Sequence, residues 1–119
     1  MKIIYNKILP IKGFYAITIC KWIFAREEYK PLSDVTINHE CLHMAEQDDF
    51  YIPLIKYIIF YLWYLLEWIL KLPFELFGYD AYQSVSFEQE AYNNQYDFEY
   101  LKTRKRFAWL KNIFKLVKK

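Results

Sequence analysis

The chain is poor in the residues that make proteins flexible or cross-linked. Its 119 residues include only 2 Gly and 4 Pro, with no Gly-rich or Ser-rich stretch. No segment reads as a linker, so a single domain over residues 1–119 is expected. That length supports one core but not two. The two cysteines, Cys20 and Cys41, are too few for a disulfide framework. Lys2, Lys7 and Lys12 lead into no long apolar run, so no signal peptide is read. A reducing, cytoplasmic setting follows as the expectation. Histidine is also scarce: His39 and His43 are the only two.

Aromatic residues, in contrast, are abundant, with 12 Tyr, 10 Phe and 4 Trp. A domain this small cannot bury so many rings, so some must face a cleft, a partner or lipid. Charge is unevenly spread: residues 102–119 carry +8 and no acid, and residues 1–101 carry −6. Phe107, Trp109 and Phe114 lie among the basic residues of that last segment. The mixture suits an amphipathic segment on anionic lipid better than a nucleic-acid arm. A solvated last helix packed through Phe107, Leu110 and Phe114 would give the same composition.

Residues 2–9 and 14–26 are rich in β-branched and aromatic side chains, with Pro10 and Gly13 between them. They predict two or three short antiparallel strands. Ser33 is the favoured N-cap of a helix over 34–49. A second, very apolar helix is expected at about 53–72, within the aromatic segment 51–74. On its helical wheel Lys56, Phe60, Trp63, Glu67 and Lys71 share one narrow stripe, beside a second stripe of Tyr57, Tyr61, Tyr64 and Trp68. This thin polar edge and wide apolar girth fit either a central core helix or a helix partly sunk in a bilayer. Residues 78–85 read as a loop, and Ser86 with Gln89 as a capping box for a helix over 87–101 with a core stripe of Phe87, Ala91, Phe98 and Leu101.

The segment His39-Glu40-Cys41-Leu42-His43 is H-E-x-x-H. Residues i and i+4 of a helix share a face, so two imidazoles at this spacing can converge on one Zn²⁺. Glu40 sits about 60–100° around the helix from either histidine, where a general base can hold a zinc-bound water. Zinc lowers the pKa of such a water from 15.7 to about 7. Shuffling this composition would produce the motif about once in a thousand tries. A catalytic zinc needs a third protein ligand, and with no third histidine an acid must serve. Glu46, one turn beyond His43, suits a role behind the ligands. Glu88 and Glu90, on the later helix, both flank its apolar stripe at about 80°, so periodicity does not choose between them. Glu67 reads either as a partner behind a ligand or in the membrane, or as a surface pair with Lys71.

H-E-x-x-H followed by Glu88-Gln89-Glu90-Ala91 as E-x-x-A resembles gluzincin-type zincin metallopeptidases. More closely, the chain is similar to a group of small bacterial proteins. They share H-E-x-x-H, an aromatic helix with Trp-Tyr and Glu-Trp (Trp63-Tyr64, Glu67-Trp68), S-F-E-x-E-A-Y (Ser86–Tyr92) and the stretch from Lys102 to Trp109. The resemblance implies that Glu88 is the third zinc ligand, with Glu90 the alternate. It also implies a minimal zincin-like fold: a small N-terminal antiparallel sheet and about four helices. The expectation is therefore an α+β zinc metallopeptidase-like hydrolase with Glu40 as its base and Tyr82 or Tyr92 as an oxyanion donor. A peptide substrate would add to an edge strand. An anionic membrane surface would be met through 51–74 and 102–119, and no nucleic acid is expected. The rival expectation is a non-catalytic, zinc-stabilised, membrane-associated interaction protein.

Overall fold

The strand-forming residues at the start of the chain build one small sheet. A computed structural model describes residues 2–119. Strands β1 (Lys2–Asn6), β2 (Ala16–Ile19) and β3 (Trp22–Arg26) lie in the order β1-β3-β2. Cys20 and Lys21 form a two-residue turn, so β2 and β3 pair antiparallel from Ile19–Trp22 to Ala16–Ala25. The β1–β3 pair is parallel, Lys2 against Trp22 through Asn6 against Arg26, so the sheet is mixed and not antiparallel throughout. The reason is the connection over residues 7–15, too long for a tight turn. It carries the chain across the sheet end and leaves the central place to β3. Asn6 shapes its start, with Oδ1 accepting from the amides of Ile8 and Leu9 at 2.8 and 2.6 Å.

Helix α1 (Asp34–Asp48) begins where its cap signal stands: Ser33 Oγ accepts from the Thr36 amide at 3.1 Å. Helix α2 (Ile55–Lys71) runs on through a 3-10 turn (Leu72–Phe77) that Gly78 ends at φ 92. Its charged stripe faces inward: Phe60, Glu67 and Lys71 are buried. The segment expected to be a loop contains a short helix, α3 (Ala81–Ser84), capped by Asp80. Helix α4 (Ser86–Asn94) stops well short of residue 101, and a separate turn, α5 (Tyr100–Thr103), follows. The Asn38 amide group, reaching over from α1, donates to the Gln95 carbonyl at 2.8 Å and so holds the chain where α4 ends. Phe98 is consequently exposed and not part of a core stripe.

The Ser86/Gln89 capping box does not form. Ser86 instead gives both its amide (2.7 Å) and its hydroxyl (2.6 Å) to the Glu67 carboxylate. Gln89 donates to the carbonyls of Ser84 and Lys115, 2.8 Å each. A carboxylate from α2 thus caps α4, where the helix dipole favours negative charge. Glu67 also takes Lys71 at 2.7 Å, so the pair is present but buried rather than on the surface.

The basic tail is not a helix apart from one 3-10 turn (Ala108–Asn112). It wraps back, with the Asp80 amide donating to the Val117 carbonyl at 2.7 Å. Trp109 is buried in a cluster with Phe60, Val85 and Phe87, whereas Phe114 is 98% exposed. A second cluster, Ile23, Ala25 and Leu32, lies under the sheet. The fold is α+β, with α1 and α4 packed together between these clusters.

Candidate metal centre

Helical spacing places His39 and His43 on one buried face of α1, with ring centroids 4.9 Å apart and planes at 81°. Their Nε2 atoms both face Glu88: Oε1 is 3.1 Å from His39 and Oε2 is 3.2 Å from His43. Capping by Glu67 sets the start of α4 and hence the place of Glu88, two residues on. The Tyr64 hydroxyl, from α2, donates to Glu88 Oε2 at 2.7 Å.

The opposite ring nitrogens are also engaged. His39 Nδ1 lies 2.7 Å from Gln95 Oε1, and His43 Nδ1 lies 2.7 Å from Glu46 Oε1. An amide oxygen only accepts, so His39 Nδ1 is the donor there. If His39 is neutral, its Nε2 then presents a lone pair to a carboxylate oxygen. Two acceptors at that separation require a cation between them, either a proton or a metal. Burial works to lower the pKa of His43, but the charges of Glu88 and Glu46 outweigh it and hold it well above its ordinary value. Burial would raise Glu88; the charge of His43 and hydrogen bonds from both imidazoles instead hold it well below the carboxylate range. In the metal-free protein, therefore, the site is an imidazolium–carboxylate cluster.

Glu40 stands beside this cluster. Its Oε2 is 3.9 Å from His39 Nε2, and the candidate ligand atoms of His39, Glu40 and His43 lie within 4.8 Å of one another. Thr18 on β2 donates to Glu40 Oε1 at 3.0 Å. Burial raises the pKa of Glu40, against the lowering effect of the two histidines.

The other candidate acids lie elsewhere. Glu90 is bound by Arg104 (2.6 Å from Nε) and by the Tyr100 hydroxyl (2.7 Å), and Arg104 also forks onto Asp49 at 3.0 and 2.7 Å. Glu90 is thus committed to a buried ion-pair network and is not beside the imidazoles. Glu46 joins the two groups. Burial raises it well above its ordinary value, which favours its protonated form. Its buried Oε2 has no donor in reach, an orphaned acceptor that a proton on that atom would relieve on the side of Glu90, while Oε1 accepts from His43. Glu67 acts on Ser86, away from the histidines.

Thr18, Tyr64, Gln95 and Arg104 were not legible as site residues. Tyr64 belongs to the stripe next to the charged one, a signal that it faces inward. Gln95 lay inside an expected helix, and Arg104 inside a segment read as basic surface. Tyr82 faces the site from α3, and burial followed by the charge of Glu88 holds its phenol far above the ordinary value, so it stays a donor. The Tyr92 ring packs edge-on against His39, with centroids 4.6 Å apart. Comparison with family models, with curated proteins and with solved structures gives no match.

Proposed function

We propose that the protein is a zinc-dependent hydrolase in which His39, His43 and Glu88 hold the metal and Glu40 is the general base. The carrying observation is that two imidazole nitrogens with engaged partners behind them meet one carboxylate from a second helix. Each separation, 3.1 Å from His39 to Oε1 and 3.2 Å from His43 to Oε2, is close to the ~3.3 Å between two ligand atoms of a tetrahedral zinc with ~2.0–2.1 Å bonds. Bound zinc would supply Lewis acidity and a water that is nucleophilic at neutral pH. Glu40, held by Thr18, takes a proton from the attacking water and later returns it to the leaving group. Its raised pKa brings it nearer the working pH, which suits that exchange. Tyr82 donates to the developing oxyanion.

The test is a pair of variants assayed for zinc content and for hydrolysis of a panel of fluorogenic peptides and aryl esters. Glu40→Gln keeps equimolar zinc and loses about 10²–10⁴-fold in rate. Glu88→Ala loses the zinc. Full activity in Glu40→Gln overturns the mechanism.

A second reading is supported by α2. Its outward sector is mostly Ile and Leu, and Ile55–Phe77 is long and apolar enough to cross a membrane, with only 17% of its most apolar 18-residue window buried. Glu67 and Lys71 are buried on the opposite side, and Lys56 pairs with Asp48. We propose that this face lies in a bilayer surface, with the helix still packed on the protein. The expected outcome is flotation of the full chain with uncharged vesicles, and a chain that stays wholly in the aqueous fraction removes the reading. Truncation of 102–119 is unsuitable as a test, because it deletes the buried Arg104 and Trp109.

A further inference from the structure

Two cavities meet at Glu40. The larger, about 590 Å³, runs from Glu40, His43 and Glu88 between β2 and α2 to an apolar rim that includes Leu9, Ile11 and Ile17. The tyrosine hydroxyls on its walls are already engaged near the site. Tyr61 donates to the Thr18 carbonyl at 3.1 Å, and Tyr64 donates to Glu88. The rest of the wall is hydrocarbon and aromatic, including Phe14, Phe60 and Trp68. The charged groups are therefore all at the end next to the histidines, and a polar group further along would meet little besides the Trp68 indole. The smaller cavity, about 440 Å³, opens on the His39 side and is lined by polar groups such as Ser33, Thr36 and Gln95. Phe14, Ala16, Glu40 and Tyr82 line both cavities.

We infer that the substrate is an amphiphile, a long-chain acyl ester or amide. Its hydrocarbon chain occupies the larger cavity, its alcohol or amine portion the smaller, and its carbonyl lies at Glu40. This rests on the hydrolase reading of the site. An extended peptide fits less well. Tyr61 accepts from the Cys20 amide at 2.8 Å and covers the Thr18 carbonyl, so part of the β2 edge is closed to a pairing strand. The cavity wall also adjoins the outward face of α2. Tyr61, Tyr64 and Trp68 line the cavity, and the exposed Ile58 and Leu65 follow next around the same helix. In the reaction the water oxygen bonds to the acyl carbon and the bond from that carbon to the leaving oxygen or nitrogen breaks. One water proton passes through Glu40 to the leaving atom. The other stays with the carboxylic acid product.

The test uses the full chain, with zinc content measured in parallel. Dibromostearate quenches tryptophan fluorescence on contact, and Trp68 lines the cavity. Saturable quenching is expected, reduced in Trp68→Phe and lost in both Ala16→Phe, which fills the cavity, and Ile11→Asp, which charges its exposed rim. Both of these variants keep equimolar zinc. Unbrominated acids should compete about tenfold more tightly for every two methylenes added. A second arm presents the chain as dibromo-acyl phosphatidylcholine in vesicles. Trp68-dependent quenching there assigns the source to the bilayer, and quenching by the free acid alone assigns it to a soluble acyl compound. A zinc-loaded protein with no saturable quenching, or competition independent of chain length, overturns the inference and leaves the hydrolase reading standing. A chain that binds no zinc overturns the reading of the site and the inference with it.

Discussion

Helices α1 and α2 invert the usual relation between polarity and burial in opposite ways. Of the seven buried residues of α1, six are polar or charged: Asn38, His39, Glu40, His43, Glu46 and Gln47. On α2 the exposed residues include Ile55, Ile58, Leu62, Leu65, Leu66, Ile69 and Leu70, while Glu67 and Lys71 are inside. The α1 pattern is stable because the buried groups find partners: Gln95, Glu88, Thr18 and Glu90 meet them. Burial of a polar group costs little once it is hydrogen-bonded. The α2 pattern has no such compensation in water, since an aliphatic face of several turns gains only by leaving it. One helix keeps polar groups inside because partners meet them, and the other leaves hydrocarbon outside with none.

The comparison breaks most severely where the α1 side loses the guanidinium held between two of its acids. Arg104→Met leaves Asp49 and Glu90 buried without a cation. Removing one partner of such a pair costs about 3–5 kcal/mol, a large part of the stability of a small domain. Urea denaturation should show that loss, and a change under 1 kcal/mol would mean the network is solvated.

Metal and pH give the next largest effect. The raised pKa of His43 stabilises the fold fully below about pH 6.5 and ceases to do so as pH rises through it. The neutral forms of Glu46 and Glu40 are lost in the same direction. Glu88, held low, contributes above about pH 4.5 and is lost only in strong acid. Metal-free protein should therefore lose stability from about pH 4.5 upward as Glu46 and Glu40 resist ionisation, and more steeply above about pH 6.5 where His43 joins them. Zinc needs the deprotonated ligands, so its stabilisation grows over that same alkaline range, reaching about 4 kcal/mol at a thousandfold excess over Kd. Thermal melts with EDTA and with zinc from pH 5 to 9 should diverge as pH rises; parallel curves would refute the cation-bridged site.

Much of the α1 side was legible. His39, Glu40 and His43 stand at a spacing that only a helix makes chemical, and Ser33 marks where that helix begins. Glu88 and Glu90 could not be separated, because both flank the same apolar stripe. Their fates are decided by Tyr64 and Arg104, both distant in sequence. Arg104 and Trp109 looked like surface because a basic stretch has no periodicity that reveals one buried arginine. On α2 the charged stripe was readable, but a stripe shows that a helix has two faces and not which one turns inward. Ser86 followed the same rule: its local capping partner Gln89 was outcompeted by Glu67 from another helix.

The outward face of α2 yields to a smaller change. Leu62 is 61% exposed and Leu66 58% exposed, so Leu62→Glu with Leu66→Glu should alter folding stability by under ~0.5 kcal/mol per site. Each leucine buried in lipid is worth about 1.5–3 kcal/mol, so vesicle partitioning should fall by tenfold or more per site. Unchanged flotation would show that another surface makes the contact, and a lost fold would show that this face packs on protein.

Glu46→Gln should do least of all. Burial favours the protonated form of Glu46, and a glutamine can stand in for it: its oxygen accepts from His43 Nδ1, and its amide hydrogen takes the place of the carboxyl proton. Zinc affinity should change by less than about threefold, whereas Glu46→Leu, which leaves the imidazole without an acceptor, should lose about 10–100-fold. The glutamine variant should also lose part of the decline in metal-free stability above about pH 4.5, because the group that must shed its proton is gone. Isothermal titration with zinc, beside melts of the metal-free protein, reads both effects. If glutamine weakens zinc as much as leucine does, Glu46 is ionised behind His43, and α1 carries one more buried negative charge than its partners account for.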